Sequence, residues 1–302
     1  CTFMPAYDIT ILTESRYVNP GLSSPYIRNV LLEDQLIQVA LEKRGLKVHR
    51  THWDQEQMPW SDTRFVLFRS TWDYFNRFPE FDVWLEQTKH QTKMINPYEL
   101  IRWNLDKHYL ADLAGQGIHI PPSRFIRKGD SSSLKEIVED TPWREIILKP
   151  AVSGGSRHTY RFGRQKCGNY ESIYASFIRN ESLILHEFQE QILTRGELAF
   201  MLFGGKFTHA ILKKAKPGDF RVQDDFGGTV HSYDPSPDEI AWAEQVVALC
   251  SPLPVYARVD AIWDNLQKPA LAELELIEPE LWFRFYPEAA EKMADVLMKH
   301  LG

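Results

Sequence analysis

The sequence contains little cysteine: three residues in 302, at positions 1, 167 and 250. Their odd number and wide spacing predict neither a disulfide framework nor a zinc site. The chain also lacks an apolar run of membrane-spanning length and, at its start, the charged-then-apolar layout of a signal peptide. An excess of positive charge is absent as well, because the formal net charge is −6. These absences argue against nucleic acid or a membrane as a partner and favour a cytoplasmic protein.

The rest of the composition is that of a globular protein, with 43 % hydrophobic and 25 % charged residues. A length of 302 residues exceeds one typical core and predicts two or three compact units. Strand-like and helix-like segments alternate over the first hundred residues, including a strand at 7–13 and a helix at 26–44, which predicts a parallel α/β sheet. From about residue 120, strand patterns follow each other with few helices, which predicts antiparallel α+β structure.

Two strand-like segments near the C-terminus, PVYARVDAIW and LAELELIEPELWF, carry charges at alternate positions. Because strand side chains alternate between two faces, Glu273 and Glu275 share a face, as do Arg258 and Asp260. The polar connection DNLQKP predicts a hairpin. If the hairpin folds symmetrically about residues 266 and 267, Asp260 lies opposite Glu273 and Arg258 opposite Glu275. All four charged side chains then meet on one face of the sheet.

Three carboxylates at such short distances repel one another, and a single arginine offsets only part of their charge. Oxygen ligands of this kind suit Mg²⁺, particularly where substrate phosphates complete its coordination sphere. We therefore predict a metal site at Asp260, Glu273 and Glu275. The alternative is a solvated strand face with chance spacing, which is favoured for Glu-x-Glu taken alone. Glu278 has the other parity and is interpreted as a turn residue.

A second segment predicts phosphate binding. The chain has no G-x-x-x-x-G-K-[ST] loop and no G-x-G-x-x-G after a strand. Instead, EIILKPAVSGGSRHT places Lys149 at a strand end, before the loop of Ser153, Gly154, Gly155 and Ser156. Backbone N–H groups of such a loop can bind phosphate oxygens, and the lysine adds a point charge. Taken alone, the Ser-Gly-Gly run has a plain turn as its alternative, and Lys149 has that of a surface residue.

The order of these features resembles the ATP-grasp ligases, a family that includes glutathione synthetase, D-alanine–D-alanine ligase and ribosomal-protein glutamate ligase. In that family a strand aspartate is followed by Glu-x-Asn on the next strand, and these residues bind two magnesium ions. Here Glu275 replaces the asparagine and keeps an oxygen ligand. The segments RSTWDY, NP-x-x-L-I-x-W-N-x-D-K and E-L-E-L-I-E-P are similar to the subgroup that contains the O-ureido-serine cyclo-ligase of cycloserine biosynthesis.

The resemblance implies an ATP-grasp fold, with an N-terminal parallel α/β domain and two antiparallel α+β subdomains that enclose ATP. We expect the first domain to span residues 1–101, the lid subdomain 102–188 and the C-terminal subdomain with the metal site 189–302. The implied cofactors are ATP and two Mg²⁺ ions, for which Mn²⁺ can substitute. The implied partner is a small amino-acid-like substrate, and the chain is expected to be a monomer or a homodimer.

The resemblance also implies which residues bind ATP: lysines at the phosphates, a lid loop over the triphosphate, a linker along the adenine and an acid at the ribose. In this sequence these are Lys107 and Lys149, the loop of Ser153, Gly154, Gly155 and Ser156, the pair Glu187 and Phe188, and Glu197. The linker is expected to contact the adenine mainly through its backbone. For the ribose acid, an exposed strand end is the alternative.

Three further cations are implied near the reacting groups. Lys214 and Arg221 lie in the polar segment KKAKPGDFRVQDDFGG, which in relatives approaches the γ-phosphate and the acceptor, so we expect one of them to do so here. Arg258, beside the metal ligands, is the candidate for stabilising the acyl phosphate and the tetrahedral intermediate. A simple counter-ion to Glu275 is the alternative, and the two roles are compatible.

The segment RSTWDYFNR follows a strand of the N-terminal α/β unit, and ligands of open parallel sheets bind beyond the carboxyl ends of strands. Its substrate candidates are Arg69 for a carboxylate, Asp73 for an amino group, Trp72 and Tyr74 as walls, and Ser70 beside them. The alternative is a packed aromatic turn with an internal Arg–Asp salt bridge. The early loop SRYVNPGLSSPY is a further candidate.

The function implied by the resemblance is ATP-dependent ligation: a carboxylate is phosphorylated, and an amine or similar nucleophile then displaces phosphate from the acyl phosphate. Intermolecular ligation and intramolecular ring closure, as in antibiotic biosynthesis, both remain open. A kinase-like or carboxylase variant that stops at phosphoryl transfer is a rival within enzymes. Outside enzymes, the rival is a catalytically inactive ATP-binding regulatory module.

Overall fold

The computed structural model describes residues 5–21, 24–222 and 227–301. Its strands are β1 (Tyr7–Thr13), β2 (Val48–His52), β3 (Thr63–Ser70), β4 (Lys93–Ile95), β5 (Ser123–Ile126), β6 (Glu145–Pro150), β7 (Tyr160–Gly163), β8 (Leu183–Glu187), β9 (Glu197–Phe203), β10 (Lys206–Lys214), β11 (Thr229–Tyr233), β12 (Tyr256–Trp263) and β13 (Pro269–Glu275). Its α-helices are α1 (Pro25–Glu42), α2 (Phe78–Thr88), α3 (Tyr98–Leu105), α4 (Tyr109–Gly115), α5 (Leu134–Glu139), α6 (Glu171–Ile178), α7 (Ile192–Arg195), α8 (Pro237–Ala248) and α9 (Glu288–Leu301). Within the described ranges, no helix combines the length and apolar character needed to cross a membrane.

The N-terminal sheet is parallel, with the strand order β2-β1-β3-β4, as the alternation of elements predicts. Helix α1 begins at Ser24, whose hydroxyl accepts a hydrogen bond from the N–H of Ile27, and Pro25 suits the first turn. It ends just before Gly45, which adopts φ +84°, a conformation that glycine reaches without strain. The edge strand β4 was not predicted, because a segment of three residues is too short to show the alternation of side chains typical of a strand.

The remaining strands form two antiparallel sheets, ordered β5-β8-β6-β7 and β11-β10-β9-β12-β13, so the predicted α+β half is confirmed. The segment from 95 to 117 has a helical pattern, and the structure breaks it between α3 and α4. Asp106 adopts an extended conformation, and its carboxylate accepts a hydrogen bond from the N–H of His108 at 2.9 Å. The N–H of Lys107 donates to the carbonyl of Ala151, a tertiary contact that no local pattern reveals.

The parallel sheet and the five-stranded sheet share one hydrophobic core. Side chains of β1 and β3 lie in the same buried cluster as residues of β9, β12 and α9, among them Ile11, Leu67, Met201, Tyr256 and Leu297. A separate cluster fills the four-stranded antiparallel sheet. The domain boundaries at residues 101 and 188 stay a prediction.

Candidate active site

A cavity of about 680 Å³ lies between the sheets. Its walls come from β6 and the loop after it, the end of β8, the strands β9, β10, β12 and β13, and the turn after β3. The candidate residues that line it are Trp72, Lys107, Lys149, Ser153, Gly154, Gly155, Ser156, Glu187, Phe188, Glu197, Arg221, Arg258, Asp260, Glu273 and Glu275. The cavity therefore gathers residues that are far apart in the sequence.

The acidic hairpin has the predicted register where it borders the cavity. Arg258 pairs with Glu275 and Asp260 with Glu273, so both predicted cross-strand pairs are confirmed. Beyond Asp260 the register shifts by one residue, so the symmetry about residues 266 and 267 does not extend to the turn. The alternation of burial along β13 breaks at this shift, because Ala272 and Glu273 are consecutive yet both half-buried and both line the cavity.

Protein cations engage the hairpin carboxylates. The guanidinium of Arg258 donates to both oxygens of Asp260, each at 2.9 Å, and also contacts Glu275. The ammonium of Lys213 lies 3.2 Å from the same Asp260 and forms an ion pair with Glu197. Arg258 therefore offsets only part of the acidic charge, as expected, and Lys213 of β10 contributes a second protein cation.

Two lysines approach from the opposite wall. The ammonium of Lys107 is 2.9 Å from Glu273 and donates to the carbonyl of Ser153, which ties the acidic strand to the loop after β6. Burial lowers the pKa of Lys149; Lys107 adds to that effect and Glu273 opposes it. Among the residues that the structure describes, the Lys149 ammonium has no ion-pair or hydrogen-bond partner. An anion that enters the cavity can therefore form an ion pair with the Lys149 ammonium.

The carboxyl groups differ in how well they are neutralised. Burial would raise the pKa of Asp260, but Arg258 outweighs it together with Lys213, so the pKa lies below its ordinary value. Burial raises the pKa of Glu275 to about 8, with Arg258 opposing the shift and neighbouring acids adding to it. Burial also raises the pKa of Glu278 to about 7. The cations of the cluster therefore do not suffice to keep all of its carboxyl groups ionised.

This donor set fits a hard divalent cation. The ligands that the site offers are carboxylate oxygens. The raised pKa values of Glu275 and Glu278 indicate room for further positive charge. Within the described part of the chain, no group of three or more His, Cys, Asp or Glu side chains is already arranged to hold a metal ion. The metal assignment to Asp260, Glu273 and Glu275 therefore stays a proposal.

Glu278 lies in a bend beyond the end of β13, in agreement with its interpretation as a turn residue, but it also belongs to the site. Its side chain lines the cavity and forms a hydrogen bond with the hydroxyl of Tyr74. Strand β13 ends at Glu275, so the parity argument that placed Glu278 on the other face does not apply three residues later. Other lining residues absent from the sequence prediction are Phe75, Asn76, Lys213, Glu280 and Trp282.

The loop after β6 has a conformation that requires glycine. A Cβ atom on Gly154 would lie 2.5 Å from the ring of Phe75, and Gly155 adopts φ +54°. Ser156 follows with φ +58°, which is uncommon for a residue with a side chain. The close approach to Phe75 brings this loop against the turn after β3, at the mouth of the cavity.

The linker after β8 uses its backbone within the protein. The N–H of Glu187 donates to Pro122 and that of Phe188 to Glu145, each at 2.9 Å. The ring of Phe188 lies under the guanidinium of Arg161, 3.7 Å from its centroid. Because both N–H groups already have partners, a contact to adenine through them is not supported. The linker can contact adenine through the apolar ring of Phe188.

Of the two cations of which one was expected near the γ-phosphate, Arg221 lines the cavity and Lys214 does not. Lys214 is exposed at the end of β10 and does not line the cavity, whereas Lys213 is buried and pairs with Glu197. Side chains alternate along a strand, so adjacent lysines face opposite sides. Arg221 does line the cavity, and its guanidinium lies 2.7 Å from Asp219.

The end of β3 and the turn after it are packed rather than open. Arg69 is 2 % exposed, lies 3.1 Å from Glu33 and donates to the carbonyl of Pro279 at 2.9 Å. Arg69 cannot reach a substrate carboxylate in this arrangement, so that prediction is wrong. The alternative of a packed turn with internal salt bridges is the one observed, although Arg69 and Asp73 do not pair with each other.

The other candidate residues of the segment RSTWDYFNR either have internal partners or line the cavity. Asp73 accepts a hydrogen bond from the indole of Trp53 and pairs with Arg77, and neither Ser70 nor Tyr74 lines the cavity. The wall role predicted for Trp72 is met: it lines the cavity, and its Nε1 donates to the carbonyl of Glu278. From the early loop, Arg16 and Tyr26 line the cavity, while residues 22 and 23 lie outside the described residues.

The N-terminal sheet is similar to a known domain. Residues 9–96 match the family described as D-cycloserine synthetase DcsG, N-terminal domain. Over 275 residues the chain is 30 % identical to the cycloserine biosynthesis protein DcsG of Streptomyces lavendulae, which covers 85 % of this chain and 90 % of that protein.

Solved structures extend the likeness over the whole fold. The crystal structure of D-cycloserine synthetase DcsG superposes with a TM-score of 0.86 at 28 % identity, over 97 % of this chain and 99 % of that one. The D-alanine–D-alanine ligase from Bacillus anthracis in complex with ATP superposes with a TM-score of 0.62 at 13 % identity, over 98 % and 97 %. The latter likeness shows the ATP-grasp fold alone. With the predicted parallel and antiparallel sheets in place, the chain belongs to the DcsG family and is an enzyme of the ATP-grasp ligase type.

Proposed function

We propose that the enzyme is an ATP-dependent ligase that joins a carboxylate to an amine or similar nucleophile through an acyl phosphate. The supporting observation is one cavity in which Lys107, Lys149 and Arg258 face the carboxylates of Asp260 and Glu273. Such a mixture of cations and acids suits a metal-bound triphosphate beside a reacting carboxylate. The likeness to DcsG supports an amino-acid-like substrate, ring closure within one molecule and a role in antibiotic biosynthesis.

Each wall of the cavity has a proposed task. Lys107 and Lys149 bind the phosphates of ATP, and the loop from Ser153 to Ser156 covers them, because its strained turn presents backbone N–H groups. Phe188 lies along the adenine, and Glu197 accepts hydrogen bonds from the ribose. Asp260, Glu273 and Glu275 hold Mg²⁺, or Mn²⁺ in its place, which when bound offsets charge on the phosphates during transfer.

The chemistry proceeds in two steps. A carboxylate oxygen of the substrate attacks the γ-phosphorus of ATP, the bond to the β-phosphate oxygen breaks and ADP leaves. The nucleophile then attacks the acyl carbon and loses a proton, and inorganic phosphate departs. Arg258 lies beside the acids, where it can stabilise the charge on the acyl phosphate and the tetrahedral intermediate, and Arg221 supplies further positive charge.

The test is substrate-dependent release of ADP. The enzyme is incubated with ATP and Mg²⁺ and with amino acids that include O-ureido-serine, and ADP and phosphate are measured. We expect both products to form only with a suitable carboxylate, and hydroxylamine to trap the acyl phosphate as a hydroxamate. Nucleotide binding without turnover across the panel would favour the regulatory module. ADP release without hydroxamate or condensed product would favour a kinase-like reaction.

A further inference from the structure

Among the strands of residues 5–21, 24–222 and 227–301, none pairs with the outer edge of β13, which ends the order of the five-stranded sheet. Leu274 on this strand and Leu276 just beyond its end are nonetheless buried, with exposures of 1 % and 0 %. Buried backbone N–H and C=O groups need partners, and an unsatisfied one costs about 1–3 kcal/mol. The strand that carries the acidic residues therefore depends on something other than a strand to satisfy its outer edge.

Three side chains of the segment 96–109 and one backbone carbonyl satisfy this edge; the carbonyl is that of His119, which accepts from the N–H of Leu271 at 2.8 Å. The hydroxyl of Tyr109 accepts from the N–H of Leu274 at 2.9 Å. The amide of Asn104 donates to the carbonyl of Leu274 at 2.8 Å and accepts from the N–H of Leu276 at 2.9 Å. The amide of Asn96 donates to the carbonyl of Leu276 at 2.8 Å. Asn104 thus bonds to two alternate residues, one at the end of β13 and one just beyond it, as a peptide group of an adjacent strand does.

The same segment reaches the acidic side chains. Asn104 lies at the end of α3, and three residues later Lys107 forms its ion pair with Glu273. The motif NP-x-x-L-I-x-W-N-x-D-K, singled out in the sequence without a role for its asparagines, therefore contacts both the backbone and a side chain of β13. Asn104 itself lines the cavity but makes its bonds to the strand.

We propose that Asn104 is a positioning residue that holds the outer edge of β13 in register, so that Glu273 and Glu275 face the cavity. This inference rests on the proposed function, in which those two acids hold the metal of a metal–nucleotide complex. Register matters because a slip of one residue turns every side chain of a strand to the opposite face. Helix α3 in effect takes the place of a sixth strand, with Asn104 as its hydrogen-bonding group.

A purely structural role for Asn104 is the alternative, and the metal requirement separates the two. Binding of a non-hydrolysable ATP analogue is measured by calorimetry while Mg²⁺ is titrated, and thermal unfolding is followed in parallel. In Asn104→Ala we expect the Mg²⁺ concentration for half-maximal nucleotide binding to rise by about 10- to 100-fold, the range typical of residues that orient metal ligands. Tyr109→Phe, which removes the acceptor for Leu274, should shift it in the same direction.

The matched control is Val246→Ala. Val246 is fully buried on α8, which packs on β9, β10 and β12, so its loss weakens the same sheet without touching the outer edge of β13. We expect this control to unfold at a lower temperature and to keep the wild-type Mg²⁺ requirement. A control that shifts the requirement as much as Asn104→Ala does would overturn the positioning role.

Two further outcomes decide the matter. If Asn104→Ala does not fold, Asn104→Asp replaces it, because aspartate keeps the acceptor for Leu276 and loses the donor to Leu274. A folded variant of either kind with a wild-type Mg²⁺ requirement overturns the inference. Wild-type enzyme that binds the nucleotide without any Mg²⁺ dependence overturns the proposed function, and the inference with it.

Discussion

The acidic hairpin and the segment at the end of β3, including the turn after it, both carry charged residues that sequence analysis assigned to ligands, yet they differ in outcome. On the hairpin, Asp260 and Glu273 line the cavity in the predicted register. Arg69 at the end of β3 and Asp73 in the turn after it are held by internal partners and do not line the cavity. The hairpin register places each acid opposite a partner on the next strand, whereas Arg69 lies on β3 with a partner, Glu33, that no local pattern reveals. Asp73 lies in a turn, which has no period from which the direction of a side chain can be read.

The two regions are nevertheless connected. The Nε1 of Trp72 donates to the carbonyl of Glu278, and Arg69 donates to the carbonyl of Pro279, each at 2.9 Å. Glu33, the partner of Arg69, accepts hydrogen bonds from the N–H groups of Leu281 and Phe283. The end of β3 and the turn after it therefore support the segment that follows the acidic strand rather than binding a ligand through Arg69.

The largest expected effect is at the hairpin. Glu273→Gln keeps the size of the side chain and removes the charge that pairs with Lys107, so we expect ADP formation to fall by about 1,000-fold or more while the protein stays folded. ADP release and circular dichroism are measured on the same sample. Full activity in this variant would refute the metal assignment.

The second effect is on stability and concerns the end of β3. Arg69→Leu leaves the buried Glu33 without its cation, so we expect the free energy of unfolding to fall by about 3–5 kcal/mol. Urea denaturation measures this change. Arg64→Leu, which breaks an exposed pair with Asp8, is the control and should cost less than about 1 kcal/mol. Wild-type stability of the Arg69 variant with a raised substrate KM would restore the ligand role.

The third effect compares adjacent lysines. Lys213→Met removes a buried cation from Asp260 and Glu197, and we expect kcat/KM to fall by about 100-fold. Lys214→Met, on the exposed face of the same strand end, should match the wild type. Steady-state kinetics of the pair provide the measurement. Equal losses, or a larger loss at Lys214, would contradict the assignment of Lys213 to the cavity.

The comparison of the hairpin, the segment at the end of β3 and the adjacent lysines shows which parts of the site can be predicted from the sequence. The sheets, the hairpin register and Lys149 follow from periodicity and strand ends. The choice between Lys213 and Lys214 depends on the phase of β10, which two adjacent lysines do not reveal. Glu278 was missed because it lies beyond the end of its strand, and the break at Asp106 depends on a tertiary contact.

The smallest effect is a pH dependence of the segment after the hairpin. His209 contacts the carbonyl of Leu281, and burial lowers its pKa to about 4, with Lys292 adding to the shift and the hydrogen bond opposing it. Because the folded pKa lies below the unfolded value, protons favour the unfolded state, and stability is lost as pH falls from about 6.5 towards 4.

Unfolding in urea at pH 7.5 and 5.5 tests this dependence. Between these pH values the wild type should lose about 1 kcal/mol more than His209→Gln, which cannot titrate. An equal loss in both proteins would show that His209 is not buried as a neutral ring against Leu281.

The central claim is that the acidic hairpin holds the metal of a bound nucleotide, and a crystal grown with Mn²⁺ and a non-hydrolysable ATP analogue tests it most directly. We expect an anomalous manganese signal within coordination distance of Asp260 and Glu273, with the triphosphate reaching Lys149. A metal–nucleotide complex bound elsewhere, with Asp260 and Glu273 still paired to Arg258 and Lys107, would contradict the account.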